Sequence, residues 1–386
     1  MGWLLRISLC AGVVGPCLAQ ESLKVEQDKT PDPAAKAIVA KKLSVPGIIA
    51  DGKVGPLQIG GLFDSYYSYD ANHPYTARNN LRNFDIGADS FDVNMAKFSV
   101  EMAPGPVGFR LDAGSGRAFD AIHVWSNTEP SFFRHIWQSY VSFKPRQLKG
   151  FEADFGKFFT SVGAEVTDTN LNWNYSRSWL FTNGPYFHFG LRTSMPIGKY
   201  FTGGVQVLQG WNNISDNNGG KTWGFTANVT GSKVSWANTY LVGPEKNGTT
   251  EGNRHFFDTV LKFTPAGKFA YYLNFDYGLE RNPNARSQKF LGIAAAGHYQ
   301  ATKRIAFAPR LEWYNDVDGF VTGRAQQLKE ITLTGEYAWF QGVLTRLEYR
   351  HDWSNQPFFD RGAQLGSAKH QDTVAIALLA FFPPTH

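Results

Sequence analysis

The stretch Phe269-Ala270-Tyr271-Tyr272-Leu273-Asn274-Phe275-Asp276-Tyr277-Gly278-Leu279-Glu280 puts Phe269, Tyr271, Leu273, Phe275, Tyr277 and Leu279 on one parity and Asn274, Asp276, Gly278 and Glu280 on the other. A period of two is that of a β-strand, whose successive side chains point to opposite faces. The split recurs at Ile305, Phe307, Leu311 and Trp313 against Arg310, Glu312 and Tyr314. It recurs again at Ile331, Leu333, Tyr337 and Trp339 against Thr332, Thr334 and Glu336. An Arg or Lys facing lipid at mid-depth costs roughly 2 to 4 kcal/mol, so the charged parity has to face a watered interior. A soluble β-sandwich also alternates. Against it stand the number and size of the aromatics on the apolar parity and the many polar residues on the other.

Outward from this stretch, sixteen segments of about ten residues carry the pattern: 57–69, 92–103, 106–115, 136–144, 150–158, 187–196, 200–210, 222–231, 233–243, 255–264, 269–280, 288–299, 304–315, 329–339, 343–353 and 371–382. Connections after even-numbered segments are short and carry turn residues, as in Pro104-Gly105-Pro106, Gly231-Ser232 and Gln341-Gly342. Those after odd-numbered segments are long: 70–91, 116–135, 159–187 and 354–370. Short turns on one rim and long loops on the other are the plan of a transmembrane antiparallel β-barrel, all-β, with about 16 strands and both ends in the periplasm. The parity has exceptions. Gln209, Asn238 and His351 fall on the lipid side, and the last strand is apolar on both.

The first residues read as a secretory signal over 1–19: Arg6 supplies charge, residues 7–18 an apolar core, and Cys17-Leu18-Ala19 the small residues for cleavage. Export through the general secretory route to the outer membrane of a Gram-negative bacterium follows. Cys10 and Cys17 both lie in that segment, so the mature chain uses no disulfide. Residues 20–56, rich in Lys, Asp, Ala and Pro, read as a periplasmic extension: a disordered tail with a short helix, or else a small plug or tether. The barrel then occupies 57–386. Aromatics at 15% and charge at 18% suit twisted strands with aromatic girdles. The net charge of +5 is spread along the chain without a basic stripe, which argues against a nucleic-acid partner.

Several segments resemble the OmpL-like β-barrel porin 2 family of bacterial outer membranes. They include Gly61-Leu62-Phe63-Asp64-Ser65-Tyr66-Tyr67, Ser90-Phe91-Asp92-Val93-Asn94, Gly108-Phe109-Arg110-Leu111-Asp112 and Asp154-Phe155-Gly156-Lys157-Phe158. The most specific is Asn172-Trp173-Asn174-Tyr175-Ser176-Arg177-Ser178. The resemblance runs from about 58 to 382, denser in the first half. It implies an outer-membrane channel for small solutes without a cofactor. The end departs from the usual pattern, because Phe381-Phe382 is followed by Pro383-Pro384-Thr385-His386 rather than closing the chain.

A sixteen-stranded barrel is wide enough for an aqueous channel, and charged rings and constrictions would set its selectivity. The inward parity offers Arg110, Arg192, Lys262, Arg310, Arg346 and Arg350 beside Asp112, Asp154, Asp258, Asp276, Glu312 and Glu348. Both signs are present, which predicts weak selectivity, slightly anionic. The loop 159–187 is the candidate for a segment folded into the lumen, where Glu165, Asp168, Trp173 and Arg177 would set a transverse field across the passage; the alternative is a loop capping the outer mouth. Partners are then outer-membrane lipid and small polar solutes. A homotrimer is open, since many porins are trimers and no patch marks an interface.

Other classes are weaker. A surface-attached all-β carbohydrate-binding protein or adhesin would share the alternation, and Trp125, Trp137, Trp179, Trp211 and Trp223 read either as a sugar-stacking track or, for most of them, as an interfacial girdle. A barrel-borne hydrolase would need Ser and His together, and here only His351 and Ser354 are close in sequence. Glu165 with Asp168 mimics a carboxylate pair. No His-Glu-x-x-His or Cys/His spacing supports a metal.

Overall fold

The computed structural model describes residues 52–123, 131–265 and 267–383. Its strands are β1 (Lys53–Val54), β2 (Leu57–Asp70), β3 (Ser90–Met102), β4 (Val107–Ser115), β5 (Ile136–Phe143), β6 (Glu152–Phe159), β7 (Phe187–Ile197), β8 (Phe201–Leu208), β9 (Thr222–Thr230) and β10 (Val234–Gly243). There follow β11 (Arg254–Phe263), β12 (Phe269–Glu280), β13 (Gln288–Gln300), β14 (Ile305–Asp316), β15 (Gln326–Phe340), β16 (Val343–Ser354), β17 (Phe359–Arg361), β18 (Gln364–Ala368) and β19 (His370–Phe382). From β2 to β16 each strand pairs antiparallel with the next; β16 then pairs with β19, and β19 returns to β2, closing a sixteen-stranded barrel. Every barrel strand begins and ends within three residues of the bounds read from the alternation.

Three features escaped that reading. Lys53–Val54, within the expected extension, folds back on Leu57 and Gln58 as a short strand. The loop after β16 forms its own hairpin of β17 and β18. Two short helices, α1 (Arg117–Ile122) and α2 (Trp179–Asn183), sit in loops. The expected signal and the extension as far as residue 51 lie outside the described residues, as does Trp125.

The two faces of the wall follow the parity. On β14, Leu311 is 56% exposed on the outside, while its neighbours Arg310 and Glu312 are 0% and 5% exposed inside. Asn238, an amide on the outer face of β10, donates to the Ala227 carbonyl (3.1 Å) and accepts from Thr259 Oγ1 (2.8 Å), which in turn accepts from Trp236 Nε1 (2.8 Å). Its polar atoms are satisfied within the wall, which lowers the cost of facing lipid. His351 lies at the external end of β16, bonded to Asp372 (2.7 Å), and Gln209 lies just past β8 in the rim. The inward residues of β19 are apolar because they meet protein rather than water: Ala375 and Ala377 pack with Tyr66 and Tyr175, and Leu379 joins Leu62, Met95 and Leu344.

The interior of the barrel is not lined by wall residues alone. Residues 160–186, between β6 and β7, turn into the barrel, and with other loops and inward wall residues they form two apolar clusters inside it. One gathers Tyr140, Phe158, Trp179, Leu180, Phe256, Phe290 and Tyr314; the other Phe84, Phe119, Ile122, Trp137, Phe181 and Tyr186. Trp137 and Trp179 are therefore inside rather than in a girdle, and Trp211 packs edge-on against Phe256 at 5.0 Å. Trp223 is exposed on the outer face of β9. Burying these rings removes large apolar areas from water, which holds a long loop inside a polar-walled cylinder.

Candidate constriction site

The inner loop, residues 160–186, is fastened to the wall mainly through its own main chain. Glu348 on β16 accepts from the amides of Tyr175 (2.6 Å) and Ser176 (2.8 Å) and from Thr334 Oγ1 (2.6 Å). Glu312 on β14 accepts from the amides of Trp179 (2.7 Å) and Leu180 (2.8 Å), at the start of α2, where acceptor charge is favoured by the free N–H groups of a first turn. The Ser178 hydroxyl caps the same turn by accepting from Phe181 (3.2 Å).

Guanidinium groups hold the carbonyls. Arg310 donates to Ser176 O (2.8 Å), Arg346 to Thr169 O (2.8 Å), and Arg350 to Arg177 O (2.6 Å). Each also keeps a carboxylate: Arg310 has Glu330 (2.8 Å) and Glu165 (2.6 Å), Arg346 has Glu336 (2.9 Å), and Arg350 has Asp352 (2.7 Å). Within the loop, Arg177 donates back to the carbonyls of Val166 (3.0 Å) and Thr167 (2.9 Å), drawing its two limbs together. A planar donor fork that serves a carboxylate and a carbonyl at once suits this work better than a lysine would.

The remaining expected residues sit around this clamp. Asp168 is paired with Lys97 of β3 and accepts from Trp137 Nε1 (3.3 Å). Trp173 lies over Tyr272 and His298, with ring centroids 5.2 and 5.5 Å away and the Lys262 ammonium 5.5 Å from its ring. Near the start of the loop, the Asn274 amide donates to Asp258 (2.8 Å) and Asp276 (3.0 Å), and its oxygen accepts from Ala164 N (3.0 Å). On another part of the wall, Arg110 bonds Asp112 (3.1 Å) and Glu101 (3.1 Å), and Arg192 bonds Asp154 (2.8 Å).

All ten expected pore-lining residues point inward, but only Arg110 keeps partial exposure. Asp112, Arg192, Lys262, Asp276, Arg310, Glu312, Arg346, Glu348 and Arg350 are buried. Most of them are covered by the inner loop and compensated within hydrogen-bond distance. Sequence reasoning missed Asp64, which accepts from Thr169 Oγ1 (2.5 Å), Asn94 Nδ2 (2.6 Å) and the Tyr175 hydroxyl (3.0 Å). It also missed Lys97, Glu330 and Asn174, whose amide donates to Ala308 O (2.9 Å) and Thr334 Oγ1 (2.8 Å). Asp64, Lys97 and Glu330 lie on inward parities, so the alternation carried the signal.

The arrangement does not assemble the catalytic pairs considered from sequence. His351 points outward to Asp372, whereas Ser354 points inward to Gln326 (2.7 Å). Glu165 belongs to Arg310 and Asp168 to Lys97, so neither is aimed at the other. Among the described residues no group of three or more His, Cys, Asp or Glu side chains is placed to hold a metal. Nearer the outer mouth, Glu245 accepts from Trp211 N (2.9 Å) and Thr222 Oγ1 (2.6 Å); burial pushes its carboxyl up to about 7, against the pull of Arg254.

A closed sixteen-stranded barrel with an apolar exterior, a charged interior and a long loop folded inward is an outer-membrane channel of the porin class. The family model described as "Putative beta-barrel porin-2, OmpL-like" matches residues 56–382, and the chain belongs to that family. Among solved structures it is similar to an anion-selective porin from Comamonas acidovorans (12% identity, 84% of this chain and 99% of that one, TM-score 0.57). It is also similar to the outer membrane channel DcaP of Acinetobacter baumannii (11%, 84% and 97%, TM-score 0.58) and to the trimer form of OmpT from Vibrio cholerae (9%, 84% and 99%, TM-score 0.56). At such identities the likeness is one of fold. No curated protein matches the chain by sequence.

Proposed function

We propose that this porin is a passive diffusion channel for small hydrophilic solutes, not an enzyme, and that the inner loop is its constriction. The observation that carries the reading is the clamping of residues 165–180 to the wall by Glu348, Glu312 and three arginines, which fixes a segment inside the lumen. Glu165, Asp168, Trp173 and Arg177 are its constriction residues, and Arg110, Asp112, Arg192, Lys262, Asp276, Arg310, Glu312, Arg346, Glu348 and Arg350 form the wall against which it narrows. Selectivity is weak and slightly anionic; one structural neighbour is titled an anion-selective porin. The chain is exported by a signal over 1–19, carries a periplasmic extension, and assembles as a homotrimer, a form in which one neighbour was solved. Deleting residues 165–178 is expected to raise single-channel conductance in planar bilayers, and an unchanged conductance rejects the constriction. Strong cation preference in reversal potentials rejects the selectivity. Liposome swelling with sugars of graded size measures the cutoff.

A further inference from the structure

On the outer face, at the long-loop end of the barrel, cross-strand register sets Lys329, Trp353 and His370 in one row, since Lys329 opposes Trp353 and Trp353 opposes His370. Arg361, from the hairpin of β17 and β18, extends the row by donating to His370 Nε2 (3.0 Å) and to Asn72 Oδ1 (3.3 Å). Toward mid-membrane lie Tyr349 of β16 and, across Val374 of β19, Tyr69 of the adjoining β2, 41% and 42% exposed. Tyrosines at this height mark the boundary between hydrocarbon and headgroups. Cations just beyond them stand at the level of the external headgroups.

The row carries uncompensated positive charge beside an aromatic ring. Lys329 and Arg361 are exposed and have no acidic partner among the described residues. Several other loop cations close on carboxylates: Arg117 on Asp92 (2.6 Å), Arg254 on Glu280 (2.6 Å), Arg286 on Asp318 (3.1 Å) and Lys221 on Asp216, while Lys369, next to His370, adds a further exposed cation with no acidic partner among the described residues. The nearby acids are already engaged. Asp372 accepts from His351 and from the Tyr349 hydroxyl, both at 2.7 Å, and Asp89 from His73 (2.8 Å).

We propose that this row binds the phosphorylated saccharide headgroup of an external-leaflet glycolipid. Phosphate oxygens would accept from the Arg361 fork and the Lys329 ammonium, which are otherwise uncompensated. The Trp353 ring and the His370 imidazole supply an apolar face and a hydrogen-bonding group beside them, which suits a sugar better than a glycerol. Acyl chains then run down past Tyr349 and Tyr69. The partner is a lipid held on the outside of the barrel, independent of what passes through it.

The test is intact-complex mass spectrometry of the full chain in detergent, titrated with bisphosphorylated lipid A, dephosphorylated lipid A or phosphatidylglycerol. Lipid A is expected to be retained, with the other two bound at least about tenfold more weakly, as loss of one charge-assisted contact would give. The Lys329→Ala/Arg361→Ala/His370→Ala variant is expected to lose lipid A by a similar factor, with gel heat-modifiability and conductance unchanged. The single loop variant Arg361→Glu, remote from the barrel ladder, is expected to do the same. Wild-type retention of lipid A by the Arg361→Glu variant, or phosphatidylglycerol binding equal to that of lipid A, overturns the proposal.

Discussion

Glu348→Ala is the sharpest perturbation of the inner loop. The carboxylate accepts three hydrogen bonds, from Tyr175 N, Ser176 N and Thr334 Oγ1, and its side chain is buried. A hydrogen bond to a charged group contributes about 1.5 to 3 kcal/mol, and amides left buried without an acceptor cost about 1 to 3 kcal/mol each. Because these are two descriptions of the same loss, the expected local destabilisation is about 3 to 5 kcal/mol, in the range for breaking a buried charged contact. The barrel ladder is untouched, so the folded band on unboiled gels should persist. What should change is the constriction: planar-bilayer recordings should show higher mean conductance and greater open-channel noise as residues 172–178 loosen. Glu348→Gln is the informative partner, since its single amide oxygen can serve one loop amide while its NH2 group opposes the other, and an intermediate value is expected. Adding Glu312→Ala, which frees Trp179 N and Leu180 N, should increase the effect. Wild-type conductance and noise in the double variant, with folding intact, would show that the clamp does not set the aperture.

Glu245 predicts a pH dependence of the outer loops. Its folded value of about 7 lies above the ordinary carboxyl value of 4.5, so the fold favours the protonated form. The stabilisation is complete below 4.5 and is lost as pH rises through 7. Limited proteolysis around residues 211–222 and 244–253 should accelerate between pH 5 and 8, and Glu245→Gln should flatten that profile; a Gln variant with the wild-type slope refutes the assignment. Leu311→Arg, on the lipid face of β14, should cost about 2 to 4 kcal/mol in a lipid-refolding titration. The neighbouring change Arg310→Ala should instead act on the channel, because it releases Ser176 O and Glu165 inside. Equal behaviour of the two variants would contradict the two-faced wall. Asp316→Ala removes the acceptor for Phe320 N (2.9 Å), Val321 N (2.9 Å) and Thr322 N (2.7 Å), so tryptic cleavage at Arg324 should speed up with no change in barrel melting.

The barrel was legible because its code is local. On β12 the alternation of Tyr271, Leu273 and Phe275 with Asn274 and Asp276 fixes strand, face and medium from a few neighbouring residues. The inner loop was legible only as a long insertion bearing charges and aromatics. Its seat depends on contacts across great sequence distance, such as Tyr175 with Glu348 or Arg310 with Glu165, which no period announces. Trp137 and Trp179 were misread for the same reason. A tryptophan in a barrel sequence fits an interfacial girdle equally well until a loop is known to turn inward and cover it. The apolar inward parity of β19 was the one local hint, since Ala375, Ala377 and Leu379 have no reason to line water.

The clamp also explains why counting wall charges overstates the field in the lumen. Acids and bases were expected to face one another across the passage, yet Arg310 meets Glu330 and Glu165 at 2.8 and 2.6 Å, and Arg350 meets Asp352 at 2.7 Å. A pair at such a separation acts on a solute as a dipole, whose influence falls off faster than that of a lone charge and is screened further within a Debye length of about 8 to 10 Å. The groups that retain reach are those with exposure left, chiefly Arg110 with Glu101 and Glu336 beside Arg346, and they again carry both signs. Weak selectivity is therefore what the compensated wall would produce even though many charges point inward. The same compensation lets those charges be buried at all, because an unpaired carboxylate or guanidinium shielded from water would be expelled or neutralised.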